Sequence, residues 1–278
     1  MRGDPAPQLS ERLGLEWLGE IGLPPTDLVS LAADAGCRHI STILERIDLN
    51  PFGYPAWSLL DDAVLRREMK ARMADRGVSI SLGEGCVIRP DADVSVHQRA
   101  LDVFVELGTT RINTVSFDPD HERTLDQFSR LAEMTRDAGV ELTTEFLPML
   151  TISTMDYAID LITRIGQPHV KVLIDTMHFV RAGHKAEEIA RHDPALFGYV
   201  QISDGPLVGA EDYMDEAMND RMIPGEGEMP LRDILAALPA DLIVSMEVPL
   251  NRMAASGMSA LERIRRTAMA TQAILASI

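Results

Sequence analysis

Four apolar runs in the second half of the chain each finish in a side chain that offers a ligand-capable oxygen. Leu-Thr-Thr leads into Glu145, Val-Leu-Ile into Asp175, Tyr-Val into Gln201 and Val-Ser-Met into Glu247. A lone acid after such a run is as a rule a helix N-cap or a solvated charge. Four such endings in succession are not accounted for in that way. Three carboxylates converging on one point repel strongly, and a cation is the usual remedy. The set is all oxygen, with no cysteine in it and no histidine at its four positions. It therefore predicts one divalent metal ion, Mn²⁺ or Mg²⁺ rather than Zn²⁺. Positions left open on the ion would serve water or substrate.

Three neighbours add to this set. His178 follows Asp175 by three residues, so it falls on the first turn after the strand and can donate to a substrate oxygen or orient a ligand. Its plain alternative is a histidine packed in a loop. Arg221 precedes Ile-Pro-Gly225-Glu-Gly227, a tight turn with exposed backbone N–H groups. There the guanidinium can hold a hydroxyl, carboxylate or phosphate, or else sit at the surface. Glu84, between Gly83 and Gly85, can point into the same site.

Such convergence needs a scaffold. From about residue 12 the chain alternates short apolar runs with longer amphipathic ones. Strands are expected at 12–17, 38–43, 78–82, 111–117, 140–146, 170–174, 198–202 and 242–246. Helices are expected at 58–76, 94–107, 125–138, 154–165, 186–191, 231–238 and 255–278, with another starting at Pro24. Glycines stand directly before several strands, where helices stop. Strict alternation predicts a parallel sheet with helices outside it. Eight units predict a closed (β/α)₈ TIM barrel, whose active site gathers at the C-terminal strand ends. An open doubly wound sheet is the rival, but no GxGxxG turn follows the first strand. The reading is an arm at 1–11 and a single barrel domain at 12–278. The longest irregular segment, 203–230, follows strand seven, where barrel active-site loops grow.

Composition narrows the partners. The chain has 278 residues and a formal net charge of −17. That field opposes nucleic acid and anionic membrane surfaces. Apolar runs fall short of the roughly 18 residues that a membrane span needs. Two cysteines, Cys37 and Cys86, make no disulfide framework and read as reduced thiols in the cytoplasm.

The same residues carry a family resemblance. Leu173-Ile-Asp175-Thr-Met-His178 looks like an Asp-x-x-His signature, and Val200-Gln201-Ile-Ser-Asp204 like the matching strand-seven motif. Arg221-Met-Ile-Pro-Gly-Glu-Gly227 looks like an Arg-x-x-Pro-Gly-x-Gly loop. The chain resembles the sugar phosphate isomerase/epimerase family, the xylose isomerase-like barrels, from Leu15 to the last helix. The resemblance implies that Glu145 and Glu247 hold the metal and shuttle protons, and that Asp175 and Gln201 complete the shell. It implies substrate contacts for His178 and Arg221. Many members carry His at the Gln201 position, and hydroxypyruvate isomerase-like members resemble this chain in having Gln. Many also place a His where Glu84 stands between its glycines.

The expected reaction is proton transfer next to a carbonyl through an enediolate, giving isomerisation or epimerisation of a small sugar or cyclic polyhydroxy-ketone. Loss of a β-hydroxyl would instead make a dehydroshikimate- or inosose-dehydratase-like lyase. Further alternatives are a non-catalytic sugar-binding barrel and an endonuclease IV-like barrel. The latter needs zinc-binding histidines and a basic groove. A homodimer is the family expectation.

Overall fold

The computed structural model describes residues 10–278. Residues 1–9, most of the expected arm, lie outside the described residues, and Ser10 and Glu11 belong to the first strand. The strands are β1 (Ser10–Leu15), β2 (Cys37–Thr42), β3 (Ser79–Gly83), β4 (Arg111–Thr114), β5 (Glu141–Glu145), β6 (Val170–Asp175), β7 (Phe197–Ile202) and β8 (Val244–Met246). They close into one barrel in sequence order, β1 pairing with β8. Neighbouring strands run parallel throughout.

The α-helices are α1 (Pro25–Asp34), α2 (Ala63–Arg76), α3 (Gln98–Leu107), α4 (His121–Ala138), α5 (Met155–Ile165), α6 (Thr176–Arg181), α7 (Ala186–Ile189), α8 (Tyr213–Asn219), α9 (Leu231–Ala237), α10 (Asn251–Ala255) and α11 (Ala260–Leu275). Capping chemistry moves several boundaries from their sequence-based positions. Asp62 accepts from the amides of Val64 and Leu65 at 2.8 and 3.0 Å, so α2 starts at Ala63 and not at Ser58. Asp120 caps α4 through Arg123 N, which starts that helix at His121, before Leu125. The last helix, expected from Ala255, starts instead at Ala260. Gly257 has a φ of 92°, and Ser259 then caps α11. Helices α6 and α8, and all of α10 but Ala255, stand where no helix was expected, and α6 and α8 carry site residues.

Period-two alternation in the strands sorts the side chains. Val172 and Ile174 of β6 and Val200 and Ile202 of β7 join the main core between barrel and helices. Leu173 and Tyr199 point the other way. With Leu82 they form a separate buried cluster inside the barrel, joined by the partly buried Ile243. Two residues further along each strand stand Glu84, Asp175 and Gln201. The polar site is therefore one layer above an apolar floor, and the same alternation builds both.

The β3–β4 seam is tight. β4 has four residues and pairs with β3 at Gly83↔Ile112. A Cβ on Gly83 would lie 2.7 Å from Phe104 Cε1 and 2.9 Å from Ile112 Cδ1. Gly83→Ala should cost about 2 kcal/mol by overpacking. Urea unfolding checks this, with a lowered midpoint and an unchanged slope expected.

Candidate active site and metal centre

Glu145 and Asp175 are the last residues of β5 and β6, Gln201 is the penultimate residue of β7, and Glu247 directly follows β8. All four are buried. Asp175 does serve as a helix cap, the plain alternative for any acid after a strand. Its Oδ1 accepts from Met177 N at 2.7 Å and His178 N at 3.0 Å, which starts α6. Its second oxygen, Oδ2, faces the site. The same turn swings His178 inward, with Nε2 3.2 Å from Glu145 Oε1 and 3.9 Å from Asp175 Oδ2.

Arg221 lies among these acids. Nη1 is 2.6 Å from Asp175 Oδ2 and Nη2 is 2.8 Å from Glu247 Oε2. Nη1 also reaches Ser203 Oγ at 3.2 Å, and Nε donates to Ala217 O at 2.9 Å. Gln201 Nε2 then links Glu247 Oε1 to Glu84 Oε1, each at 3.2 Å, and Trp17 Nε1 donates to Glu84 Oε2 at 2.9 Å. One connected network thus contains all seven residues singled out from the sequence. It does not form a single compact shell. Two groups have ligand atoms mutually within 4.8 Å: Glu145 with Asp175 and His178, and Glu16 with Glu84 and Glu247. The expected quartet straddles these groups, and Arg221 bridges them.

The donor chemistry of these groups fits a divalent cation. They contain five carboxylates, those of Glu16, Glu84, Glu145, Asp175 and Glu247, and Arg221 pairs with two of these. The amide oxygen of Gln201 and Oε2 of Glu16 are buried and have no hydrogen-bond partner. An imidazole nitrogen enters the first group, which the four sequence positions alone did not supply.

Charge crowding pushes the carboxyls apart. Burial alone would raise the Asp175 pKa, but Arg221 and His178 outweigh it and hold this group below the usual carboxylate range. Burial, reinforced by the charges of Asp175 and Glu145, pushes Glu247 well above that range despite Arg221. Glu84 is also raised, first by burial and then by Glu16. Such divergence within one site is how acid and base roles are separated.

A cavity of about 370 Å³ opens above this network. Glu84, Asn113, Glu145, His178, Arg221 and Glu247 supply polar groups to its lining, whereas Asp175 and Gln201 are not among the lining residues. Asn113 Nδ2 donates to Glu145 Oε2 at 3.0 Å. Glu16, Asn113 and Tyr213 escaped the sequence reading. Glu16 also follows an apolar run, but a first strand drawn through to Trp17 hid it inside the strand. Tyr213 lay in the long segment read as irregular.

Tyr213 sets the imidazole. Its hydroxyl is 2.5 Å from His178 Nδ1, and the rings stack at 25°. Burial and the nearby Asp175 charge raise the Tyr213 pKa. In the neutral ring the Glu145 carboxylate, which only accepts, selects the tautomer with hydrogen on Nε2, and Nδ1 then accepts from the phenol.

The loop after Arg221 differs from its expected use. Its backbone N–H groups turn onto Asp204, whose carboxylate accepts from Gly225 N at 2.8 Å, Gly227 N at 3.1 Å and Met229 N at 3.1 Å. A Cβ on Gly227 would lie 2.3 Å from Asp204 Oδ1, so the loop needs glycine there. The glycines serve an internal clasp that holds the segment carrying Arg221.

Two outcomes follow. Glu145→Gln should convert a single Nε2-protonated His178 tautomer into a mixture, read from imidazole ¹⁵N shifts at neutral pH. Asp204→Ala should cost about 3 kcal/mol, because several buried amides lose a charged acceptor. Thermal and urea melts check the latter.

The profile of the xylose isomerase-like TIM barrel family matches residues 29–265. The 3-dehydroshikimate dehydratase of Pseudomonas aeruginosa is 28% identical over 187 residues, which is 63% of this chain and 29% of that protein. The inosose isomerase of Bacillus velezensis is 28% identical over 112 residues, 40% of this chain and 39% of its own length. The D-psicose 3-epimerase of Agrobacterium fabrum is 27% identical over 122 residues, 43% of this chain and 37% of its own. The matched stretches thus span well under half the length of these relatives. Among solved structures, the IOLI protein with a bound zinc atom superposes with a TM-score of 0.78, covering 96% of this chain and 98% of that one at 16% identity. A closed eight-stranded parallel barrel with its polar groups at the C-terminal strand ends agrees with that profile, and the chain belongs to the xylose isomerase-like TIM barrel family.

Proposed function

We propose that this protein is a divalent-metal-dependent enzyme that moves a proton on carbon next to a carbonyl, acting as an isomerase or epimerase on a small sugar or keto-polyol. The observation that carries this reading is that Glu145 and Glu247, from strands well separated around the barrel, line one cavity and belong to one hydrogen-bonded network. A pure binding protein has no need of two acid/base groups so placed.

Glu145, Asp175, Gln201 and Glu247 would hold the ion, and the mostly oxygen donor set favours Mn²⁺ or Mg²⁺. Zinc is the metal named for the IOLI structure. A bound divalent cation would supply Lewis-acid polarisation of the reacting carbonyl.

The residues of the chain divide the remaining work. Glu145 is the base that removes the carbon-bound proton. Asn113 and His178 fix its two oxygens, which limits the directions from which it can accept that proton. Glu247, whose pKa burial raises, is the group that returns a proton to the substrate. Return to the opposite face of the same carbon inverts the centre, and return to the neighbouring carbon moves the carbonyl. Arg221 holds the Glu247 carboxylate in place. One hydrogen on its Nη2 remains for a substrate oxygen, since Glu247 takes the other.

A second reading is a dehydratase. The 3-dehydroshikimate dehydratase matches 63% of this chain, against 40% for the inosose isomerase. In that case Glu145 takes the proton α to the carbonyl while Glu247 protonates the departing β-hydroxyl, so that water leaves and a conjugated alkene remains. Neither the matched relatives nor the acidic surface supports a nucleic-acid substrate. Among the described residues, no helix is long and apolar enough to cross a membrane. Cys37 and Cys86 are buried and unpaired, which supports a reducing compartment such as the cytoplasm.

Metal analysis of the purified protein should return a divalent ion, and chelation should lower its melting temperature. With ketoses and cyclic keto-polyols in D₂O, the wild type should place solvent deuterium in the product. Glu247→Gln should slow that exchange at least about a hundredfold while ligand binding survives. Absorbance from a conjugated product identifies the dehydratase. Full activity in the Glu247→Gln variant would sink both readings.

A further inference from the structure

The polar residues of the cavity are confined to its floor, and its upper wall is hydrocarbon. Trp17 follows β1, Phe117 follows β4, and Leu147 and Met149 follow β5. The opposite side comes from α8 and the residues just beyond it. Met214, Ala217, Met218 and Arg221 line the cavity at i, i+3, i+4 and i+7, which is one helical face. That face is apolar down to its last member, which reaches the acids of the floor. Phe117, Met149 and Met214 are exposed at 47%, 52% and 42%, although they are large apolar side chains beside a polar site.

Charge is equally uneven. Among the described residues no lysine lines the cavity, and Arg221 is its arginine. The charge of that guanidinium is already paired with Asp175 and Glu247. The acids Glu84, Glu145 and Glu247 lie beneath. A phosphate in the upper cavity would meet no counter-charge. A polyol chain there would give up water for thioether and aliphatic groups that accept no proper hydrogen bonds.

We propose that the cavity takes a neutral amphipathic substrate, with an α-hydroxy-carbonyl head on the polar floor and an alkyl or ring body against the methionine wall, in preference to an open-chain sugar or sugar phosphate. The proposal rests on the proton-transfer reading above and keeps its reaction, but moves the substrate from a sugar or keto-polyol to a less hydroxylated hydroxy-ketone. Methionine suits this wall because its flexible, polarisable side chain packs against bodies of varied shape.

The test uses ketones that share the head HO–CH₂–C(=O)– and differ in the tail. Erythrulose and 1-hydroxy-2-butanone have the same carbon skeleton with and without tail hydroxyls. Erythrulose 4-phosphate adds an anion, and 2-hydroxyacetophenone adds a ring. Binding to the metal-loaded protein is measured by calorimetry, and exchange of the C1 proton in D₂O by mass spectrometry. At least tenfold tighter binding is expected for 1-hydroxy-2-butanone and 2-hydroxyacetophenone than for erythrulose or its phosphate. The double variant Met149→Gln, Met218→Gln should narrow that ratio severalfold while the melting temperature stays near wild type.

Tighter or equal binding of erythrulose or its phosphate overturns the proposal, as does a lack of binding by all four ketones. Tail-selective binding without proton exchange leaves the proposal standing and sinks the proton-transfer reading instead. If the double variant alters the sedimentation mass and leaves tail selectivity unchanged, the exposed rim is a contact between copies of the chain, and the proposal fails.

Discussion

Arg221 places one nitrogen 2.6 Å from Asp175 and another 2.8 Å from Glu247, in a site where buried carboxylates outnumber guanidinium groups. The rest of the barrel mouth is arranged around that imbalance. Buried charge is costly unless paired. Asp175 is paired twice, by Arg221 and by the first turn of α6, and stays a strong acid. Glu247 has the guanidinium too, but burial and two neighbouring acids prevail and push its pKa up. The two carboxyls share one counter-charge and acquire opposite characters. That asymmetry is what an acid/base pair needs, and it comes from packing rather than from residue type.

The position of Arg221 is itself secured from a distance. It follows α8, in a segment pinned where Asp204 gathers the amides of Gly225, Gly227 and Met229. Asp204 lies just beyond β7, so the clasp ties the long excursion back to the barrel strand it left. On the other side, Tyr213 of α8 orients His178 of α6. One short helix therefore delivers the guanidinium, fixes the imidazole and supplies the apolar face of the cavity. Those three tasks are coupled through a single element.

Much of the barrel was legible because its signals are periodic. Alternating runs and helix-ending glycines such as Gly108 and Gly139 mark the β/α units, and the structure closes eight strands in sequence order. Helix starts were less legible. Asp62 and Asp120 act as caps several residues from the edge of the apolar pattern, and a side chain's choice to cap depends on local geometry. At the site, the rule that polar side chains end barrel strands brought Glu145, Asp175, Gln201 and Glu247 into one network. It missed Glu16, which obeys the same rule, because a strand boundary was misplaced by two residues. The grouping of the ligands was not legible either. Whether a guanidinium inserts between two acids depends on the path of residues 203–230, and no periodicity records that path. The glycines of that path were visible, but their partner Asp204 is distant in sequence, so their amides looked free for a ligand.

The apolar layer of Leu82, Leu173 and Tyr199 beneath the acids has a consequence for traffic. It stoppers the barrel from below, so among the described residues the cavity is a well that opens at the barrel mouth. Under the proton-transfer reading proposed above, reactant and product share that mouth, which the helix carrying Met214 and Met218 and the loops beyond β4 and β5 line. Departure then requires the oily doorway to become wet. A product more hydrated than its precursor would be driven out by that step, and one less hydrated would linger.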